Sequence, residues 1–232
     1  MSAEPTTRPP IAVFDLDGTL AETAGDLIGT LNVLLKREGL AELPLSQARE
    51  LIGAGAKALI RRGFEAEGRA LSPEDHDRLF DAFIAHYGEH LADTSHLYPG
   101  VVEALDALEA AGFRLAVCTN KYEGQSVELL RILGIGDRFA AICGRDTFPQ
   151  FKPDPRHLTD TIARAGGDPA RAVMVGDSRT DIDTAKAAGI PVVAVTFGYT
   201  DRPVTELGPD RVIEHFSQLP EAVGALVPVD AA

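Results

Sequence analysis

The sequence predicts an α/β protein: a doubly wound parallel sheet, Rossmann-like, interrupted after its first strand by an all-helical insertion. Three observations carry that prediction. The run Ile11-Ala12-Val13-Phe14 is continuously apolar and passes into Asp15-Leu16-Asp17-Gly18-Thr19-Leu20, as a strand buried on both faces does when it reaches its loop. From Tyr98 onward, short apolar runs alternate with segments of helical spacing, which implies βαβ units with right-handed crossovers. Between the two lies Thr23 to Asp93, with several helical patterns and no strand signal, far more chain than a crossover needs.

The elements follow in order. Met1 to Pro10 is polar and Pro-rich, without a hydrophobic signal core, and reads as a flexible tail on a cytoplasmic protein. After the first strand, Leu27, Leu31, Leu34 and Leu35 recur at helical spacing until Gly39. Pro44 and Ser46 open a short helical segment that ends at Leu51-Ile52. Gly53-Ala54-Gly55 breaks it, and Lys57 to Glu67 resumes it. Ser72-Pro73-Glu74-Asp75 is a helix start, with a cap, a proline in the first turn and acids at the positive end of the dipole. Helix Val101 to Ala111, strand Phe113 to Cys118, helix Glu123 to Leu133 and a short strand Phe139 to Cys143 come next. A helix from Arg156 to Ala165, strand Ala172 to Val175, helix Asp181 to Ala188 and strand Pro191 to Val195 follow. A strand near Arg211 to Ile213 and a helix near Leu219 to Leu226 close the chain. The expected division is a tail over residues 1–10, a core over 11–22 and 96–232, and a helical cap over 23–95.

Composition narrows the function classes. Apolar residues are 45% and charged residues 25% of 232, ordinary for a globular protein with a real core. A formal net charge of -13 argues against nucleic acid or an anionic membrane as partner. No apolar run is long enough to span a bilayer. Cys118 and Cys143 sit in separate strand-like runs and read as two reduced core thiols.

In an extended chain residues i and i+2 face the same way, so Asp15 and Asp17 share one side where the strand ends. Open α/β sheets bind ligands outside the carboxyl ends of their strands. Four such ends carry polar residues: Asp15 with Asp17, Thr119 with Asn120, the loop containing Lys152, and Asp177 with Asp181. Clustered acids need a compensating charge. A phosphate ester with a hard divalent cation supplies one. Oxygen ligands without a His or Cys cluster favour Mg²⁺ over Zn²⁺, and none of the six histidines shows metal-site spacing.

Asp15-Leu16-Asp17-Gly18-Thr19-Leu20, Thr119, Lys152-Pro153 and Gly176-Asp177-Ser178-Arg179-Thr180-Asp181 resemble, in order, the four motifs of the haloacid dehalogenase superfamily. The resemblance implies that Asp15 attacks phosphorus and forms an aspartyl-phosphate. It implies that Asp17 acts as general acid and then general base, and that Thr119 and neighbouring amides hold the phosphoryl oxygens, with Asn120 beside them in substrate binding. Lys152 would neutralise Asp15 and the transferring group. Mg²⁺ would be held by Asp15, the main-chain carbonyl of Asp17 and Asp177, while Asp181 would bind a metal water or orient Lys152.

Within the superfamily, Asp17 matches phosphatases and mutases. Thr119-Asn120-Lys121, Gly144-Arg145-Asp146 and Phe197-Gly198-Tyr199 resemble the phosphoglycolate phosphatases. The expected substrate is therefore a small phosphate ester, 2-phosphoglycolate first. A β-phosphoglucomutase, a pyrophosphatase and a broad sugar-phosphate phosphatase stand behind it. A phospho-aspartate signalling module also uses acids, Thr and Lys, but is shorter and has no inserted lid. Glu22-Thr23 stands where the family often has Asp-Ser, and Tyr122 where it has a proline. Lys57, Arg61, Arg62, Lys121 and Arg145 are the cations available to a carboxylate on the substrate, and the oligomeric state is open.

Overall fold

A computed structural model describes residues 8–48, 51–52, 55–200 and 202–228. The first strand, β1 (Ile11–Phe14), leads through the acidic loop into a two-residue strand, β2 (Ala21–Glu22). Helices α1 (Ala24–Arg37), α2 (Leu45–Ala48), α3 (Ala56–Ala66) and α4 (Pro73–Glu89) follow, and β3 (His96–Leu97) ends the excursion. Then come α5 (Val101–Ala110), β4 (Arg114–Cys118), α6 (Glu123–Ile132), β5 (Ala141–Cys143) and α7 (Pro155–Ala165). The last elements are β6 (Ala172–Gly176), α8 (Arg179–Ala188), β7 (Val192–Val195), β8 (Arg211–Ile213) and α9 (Leu219–Leu226).

The main sheet runs β5-β4-β1-β6-β7-β8, with every described pairing parallel. Its central strands are buried on both faces, and β1 shows how. Ala12 and Phe14 belong to the apolar cluster on one face, Ile11 and Val13 to that on the other. The chain winds outward from β1 to β4 and β5, then returns to β6 and winds the other way. Asp15 thus lies at the switch point, where such sheets keep their ligands.

The helices of the excursion have a core of their own, in which Leu31 and Leu34 meet Ile60, Phe64, Phe83 and Tyr87. The start expected at Ser72 is present: its side chain accepts from the Asp75 amide at 3.1 Å, with Pro73 in the first turn. The excursion leaves and rejoins the core through β2 and β3, which pair antiparallel as Ala21 with Leu97 and Glu22 with His96. Two-residue strands leave no periodicity to read, so this ribbon was invisible in the sequence.

Two smaller differences have physical reasons. Pro9 and Pro10 do not behave as a loose tail, because their carbonyls accept from the amides of Asp168 (3.1 Å) and Arg114 (2.8 Å). Strands expected from Phe113, Phe139 and Pro191 begin one to two residues later. The apolar run continues into the packed loop, and proline has no N–H to give the ladder. Of the break at Gly53-Ala54-Gly55, Gly53 and Ala54 lie outside the described residues. Gly55 caps α3 at φ 84°.

Cys118 and Cys143 face one another in register across β4 and β5. Both are free and buried, and burial pushes the Cys118 thiol up to about 12. Among the described residues, no helix is long and apolar enough to cross a membrane.

Candidate active site

Three strand ends and one loop meet at the carboxyl edge of the sheet. Asp15 follows β1 and is still tied to β6, its amide donating to the Val175 carbonyl at 2.9 Å. Its Oδ1 accepts from the Leu16 amide at 2.7 Å and lies 3.0 Å from Lys152 Nζ. Lys152 Nζ also donates to Asp181 Oδ1 at 2.5 Å. Asp181 sits in the first turn of α8, where its Oδ2 accepts from the amide and hydroxyl of Ser178 at 3.1 and 2.6 Å. The cap residue, the helix start and the lysine are thus one unit.

Lys152 is itself fixed from behind. Its amide donates to His157 Nδ1 at 3.2 Å, and His157 Nε2 lies 3.1 Å from the Gly144 carbonyl. One tautomer serves both bonds, with the proton on Nε2. Burial, with the Lys152 charge beside it, lowers His157 to about 4 and keeps the ring neutral. Without metal-site spacing, this histidine gave the sequence no signal. Its position five residues after the lysine, on a helix folding back beneath it, was the only clue.

Asp177 follows β6. Thr19 Oγ1 donates to its Oδ1 at 3.0 Å, and the Tyr199 amide donates to its Oδ2 at 2.5 Å. Two glycines make room. A Cβ on Gly18, at φ 81°, would lie 2.5 Å from Asp177 Oδ2, and one on Gly198 would overlap the same carboxylate. That is the physical content of Phe197-Gly198-Tyr199. Tyr199 also reaches the excursion's root. Its hydroxyl accepts from the amides of Thr23 (2.6 Å) and Ala24 (2.9 Å) and donates to Glu22 Oε1 at 2.5 Å. The longer Glu22 is therefore used, with Tyr98 donating to its Oε2 at 3.2 Å.

Asp17 has different company. Lys121 Nζ donates to both its oxygens, at 2.9 and 3.0 Å, and to the Tyr87 hydroxyl at 2.8 Å. Thr23 Oγ1 donates to Oδ1 at 2.8 Å. Lys121, which on sequence could equally have been a surface lysine, is buried between the sheet edge and α4. Burial alone would lower its ammonium, but the Asp17 charge and Tyr87 outweigh this and hold it above its ordinary value. Tyr87 is pushed up to about 12, by burial first. No sequence signal linked Tyr87 to this site, because its helical spacing marks it as core.

Thr119 is buried on the loop after β4, its hydroxyl accepting from the Lys121 amide at 3.2 Å. Asn120 donates to the Lys152 carbonyl at 2.9 Å, and its buried Oδ1 has no partner among the described residues. Asp15, Asp17, Thr119 and Asn120 line one pocket with Lys121 and Arg145, closed on the far side by apolar residues of the excursion such as Leu59 and Phe83. Of the cations expected near a substrate carboxylate, the pocket thus holds Lys121 and Arg145. Lys57 pairs instead with Asp77 at 2.7 Å, and Arg62 donates to the Leu51 carbonyl at 3.2 Å.

Carboxylate oxygens of Asp15, Asp177 and Asp181 lie within 4.8 Å of one another. Three acids against one lysine leave a formal charge of −3 + 1 = −2, and every donor is a hard oxygen. A divalent cation of the Mg²⁺ type fits both facts. The crowding of these acids shows in their protonation. Burial raises Asp15 to about 6, with Lys152 offsetting part and Asp181 and Asp17 adding to it. Asp177 is raised well above the ordinary range by burial, then by Asp181 and Asp15. Asp181 already spends its oxygens on Lys152 and Ser178, so its place is behind the lysine.

The sign of a metal effect follows. Acids raised in the folded state bind more protons than the unfolded chain, so the metal-free protein gains stability as pH falls from 7 through about 6. A cation binds the ionised form, so its stabilisation should be larger at pH 7.5 than at pH 5.5. At a hundredfold excess over Kd it amounts to about 2.7 kcal/mol, roughly 5–10 °C in Tm for a chain of this size. Thermal melts with Mg²⁺ or EDTA at both pH values check this. An equal shift at the two pH values, or the same shift in Asp177→Asn, would remove the acids from the metal site.

Comparison with known proteins agrees with this geometry. Residues 12–195 match the haloacid dehalogenase-like hydrolase family. A phosphoglycolate phosphatase of Mesorhizobium japonicum is 54% identical over 210 residues, covering 90% of this chain and 92% of its own. The crystal structure of a predicted phosphoglycolate phosphatase from Haemophilus somnus superposes with a TM-score of 0.85 at 32% identity, covering 94% of this chain and 99% of that one. CbbY from Rhodobacter sphaeroides, crystallised with phosphate, gives a TM-score of 0.76 at 26% identity over 91% of this chain and 96% of that one. By sequence and by fold, the chain belongs to the haloacid dehalogenase-like hydrolases.

Proposed function

We propose that this phosphatase hydrolyses 2-phosphoglycolate, with Mg²⁺ and through an aspartyl-phosphate on Asp15. The observation that carries the reading is the buried pairing of Lys152 with Asp15 at the end of β1, 3.0 Å apart. A carboxylate held there by one ammonium is a fixed, oriented nucleophile. Asp15, Asp177 and the Asp17 carbonyl would hold Mg²⁺, which would supply charge neutralisation for the phosphoryl oxygens. The protein does the rest. Asp15 attacks phosphorus, while Thr119 and the adjacent amides hold the oxygens. Lys152, steadied by Asp181 and His157, balances the charge gathering on Asp15. The ester P–O bond breaks as Asp17, in its acid form, protonates the leaving alcohol. As the carboxylate, the form that Lys121 pairs with, it then takes a proton from the water that cleaves the aspartyl-phosphate and frees phosphate and Asp15. Asn120, on the same loop as Thr119, lines the pocket beside it.

We further propose that residues 23–95 act as a cap over this edge, hinged at the β2–β3 ribbon. Pocket walls drawn from both α4 and the sheet support a cap that excludes water when closed. The proposed setting is the cytoplasm, and the partner a small phosphate ester rather than nucleic acid or membrane.

The test is a kcat/KM panel with Mg²⁺ over 2-phosphoglycolate, glycerol phosphate, glucose phosphates, pyrophosphate and nucleoside monophosphates. The expected result is a preference for 2-phosphoglycolate of about tenfold or more, which needs only about 1.4 kcal/mol of extra transition-state binding. A flat profile would mark a general phosphatase. Isomerisation of β-glucose 1-phosphate to the 6-phosphate would mark a mutase.

A further inference from the structure

We propose that Arg145 is a specificity-determining residue, the receptor for a carboxylate carried by the alcohol part of the phosphate ester. The inference rests on the phosphatase reading above and adds to it the group that selects the substrate.

The cations of the pocket are not equivalent. An ammonium has three N–H directions, and Lys121 spends its own on the two oxygens of Asp17 and the hydroxyl of Tyr87. Lys152 is spent on Asp15 and Asp181. Arg145 lines the same pocket, yet its side chain makes no ion pair or hydrogen bond with any described residue. It is unspent charge beside the chemistry.

Its position is built rather than incidental. The Arg145 amide donates to the Lys121 carbonyl at 2.9 Å, which ties it to the loop carrying Thr119. Gly144 lets the two loops touch, since a Cβ there would lie 2.6 Å from the Lys121 carbonyl and 2.7 Å from Glu123 Cα. Asp146 then accepts from the Glu123 amide at 2.8 Å. The guanidinium lies over the Phe151 ring at 4.6 Å and the Tyr122 ring at 5.8 Å. The two rings pack against the guanidinium without using its N–H groups, which stay available to a ligand. Tyr122, unexpected at its position, is one of those rings. Across the gap stands Gly55 at the root of α3, where an added Cβ would come within 3.4 Å of Arg145 Nη1. A planar fork of donors at a narrow mouth suits a carboxylate, which it can meet with two parallel hydrogen bonds. Apolar cap residues around the remaining wall leave a short alcohol as the fitting substrate.

The experiment compares 2-phosphoglycolate with ethyl phosphate, which has similar length but no carboxylate, in wild type, Arg145→Gln and Arg145→Lys, with Mg²⁺ and with Tm measured for each. Wild type should prefer 2-phosphoglycolate. In Arg145→Gln the ratio of the two kcat/KM values should fall about ten- to hundredfold, the size of a lost charge-assisted pair. The loss should be carried by KM more than kcat, and Arg145→Lys should fall between the two. A wild type without preference would overturn both the substrate reading and this role. A wild-type preference that survives intact in both variants would overturn the role of Arg145 alone. An equal loss on both esters, leaving the ratio unchanged, would make Arg145 structural and overturn it as well.

Discussion

Asp15→Asn is expected to lose turnover by a factor of about ten thousand or more while the protein stays as stable as wild type, or becomes slightly more stable. The two halves have separate causes. An amide keeps the shape and the acceptor that the Leu16 amide uses, but offers no anion to phosphorus, and about 5.4 kcal/mol of transition-state stabilisation goes with it. On the stability side, the acid is carried at a cost, since burial raises it to about 6. At pH 7.5 a neutral side chain removes that cost. Lys152 loses one partner and keeps Asp181 at 2.5 Å, so it is not stranded. Activity and Tm of the purified variant, its Asn confirmed by intact mass, decide the matter. Residual turnover above about one per cent would remove Asp15 as nucleophile. A large fall in Tm would mean that its charge was holding the fold.

How much of this was legible beforehand depends on the range of the contact. Asp15, Thr119, Lys152 and Asp177 were legible because strand direction alone brings strand ends to one edge of a parallel sheet. The chain order of those ends is written in the alternation of elements. Asp181 was legible twice, as a residue of a helix's first turn and as a neighbour of the rim, and it does both. The Asp17–Lys121–Tyr87 contact was not. It joins a loop, a strand end and a helix of the excursion, and no periodicity encodes which residue of α4 points at Asp17. Arg145 was one cation among five candidates. Only the distances show that Lys57 is taken by Asp77, Arg62 by a carbonyl and Lys121 by Asp17. Tyr199 and Glu22 were noticed only as a motif residue and a departure from the family pattern. Their bond at 2.5 Å joins both at the root of the excursion.

Lys152→Met is expected to damage both activity and stability, and its stability loss should depend on pH. The side chain is buried with two carboxylates on its ammonium, and an Asp177 oxygen lies within 4.8 Å of oxygens of both. Burial alone would lower its protonation, but Asp15 and Asp181 outweigh this and hold it firmly charged. Methionine fills similar space and removes the one positive charge among three buried acids. Breaking such a cluster from one side costs about 3–5 kcal/mol, enough to lower Tm by roughly 6–20 °C, and turnover should fall at least a thousandfold. The acids can relieve the loss by taking up protons, so the fall in Tm should be larger at pH 7.5 than at pH 5.5. The double variant Lys152→Met, Asp181→Asn removes one of the stranded charges. It should regain part of the Tm without regaining activity, because the charge that balances Asp15 is still missing. Melts at the two pH values, with kcat for both variants, separate the roles. If the double variant recovered turnover along with stability, Lys152 would be a structural counterion and no part of the chemistry.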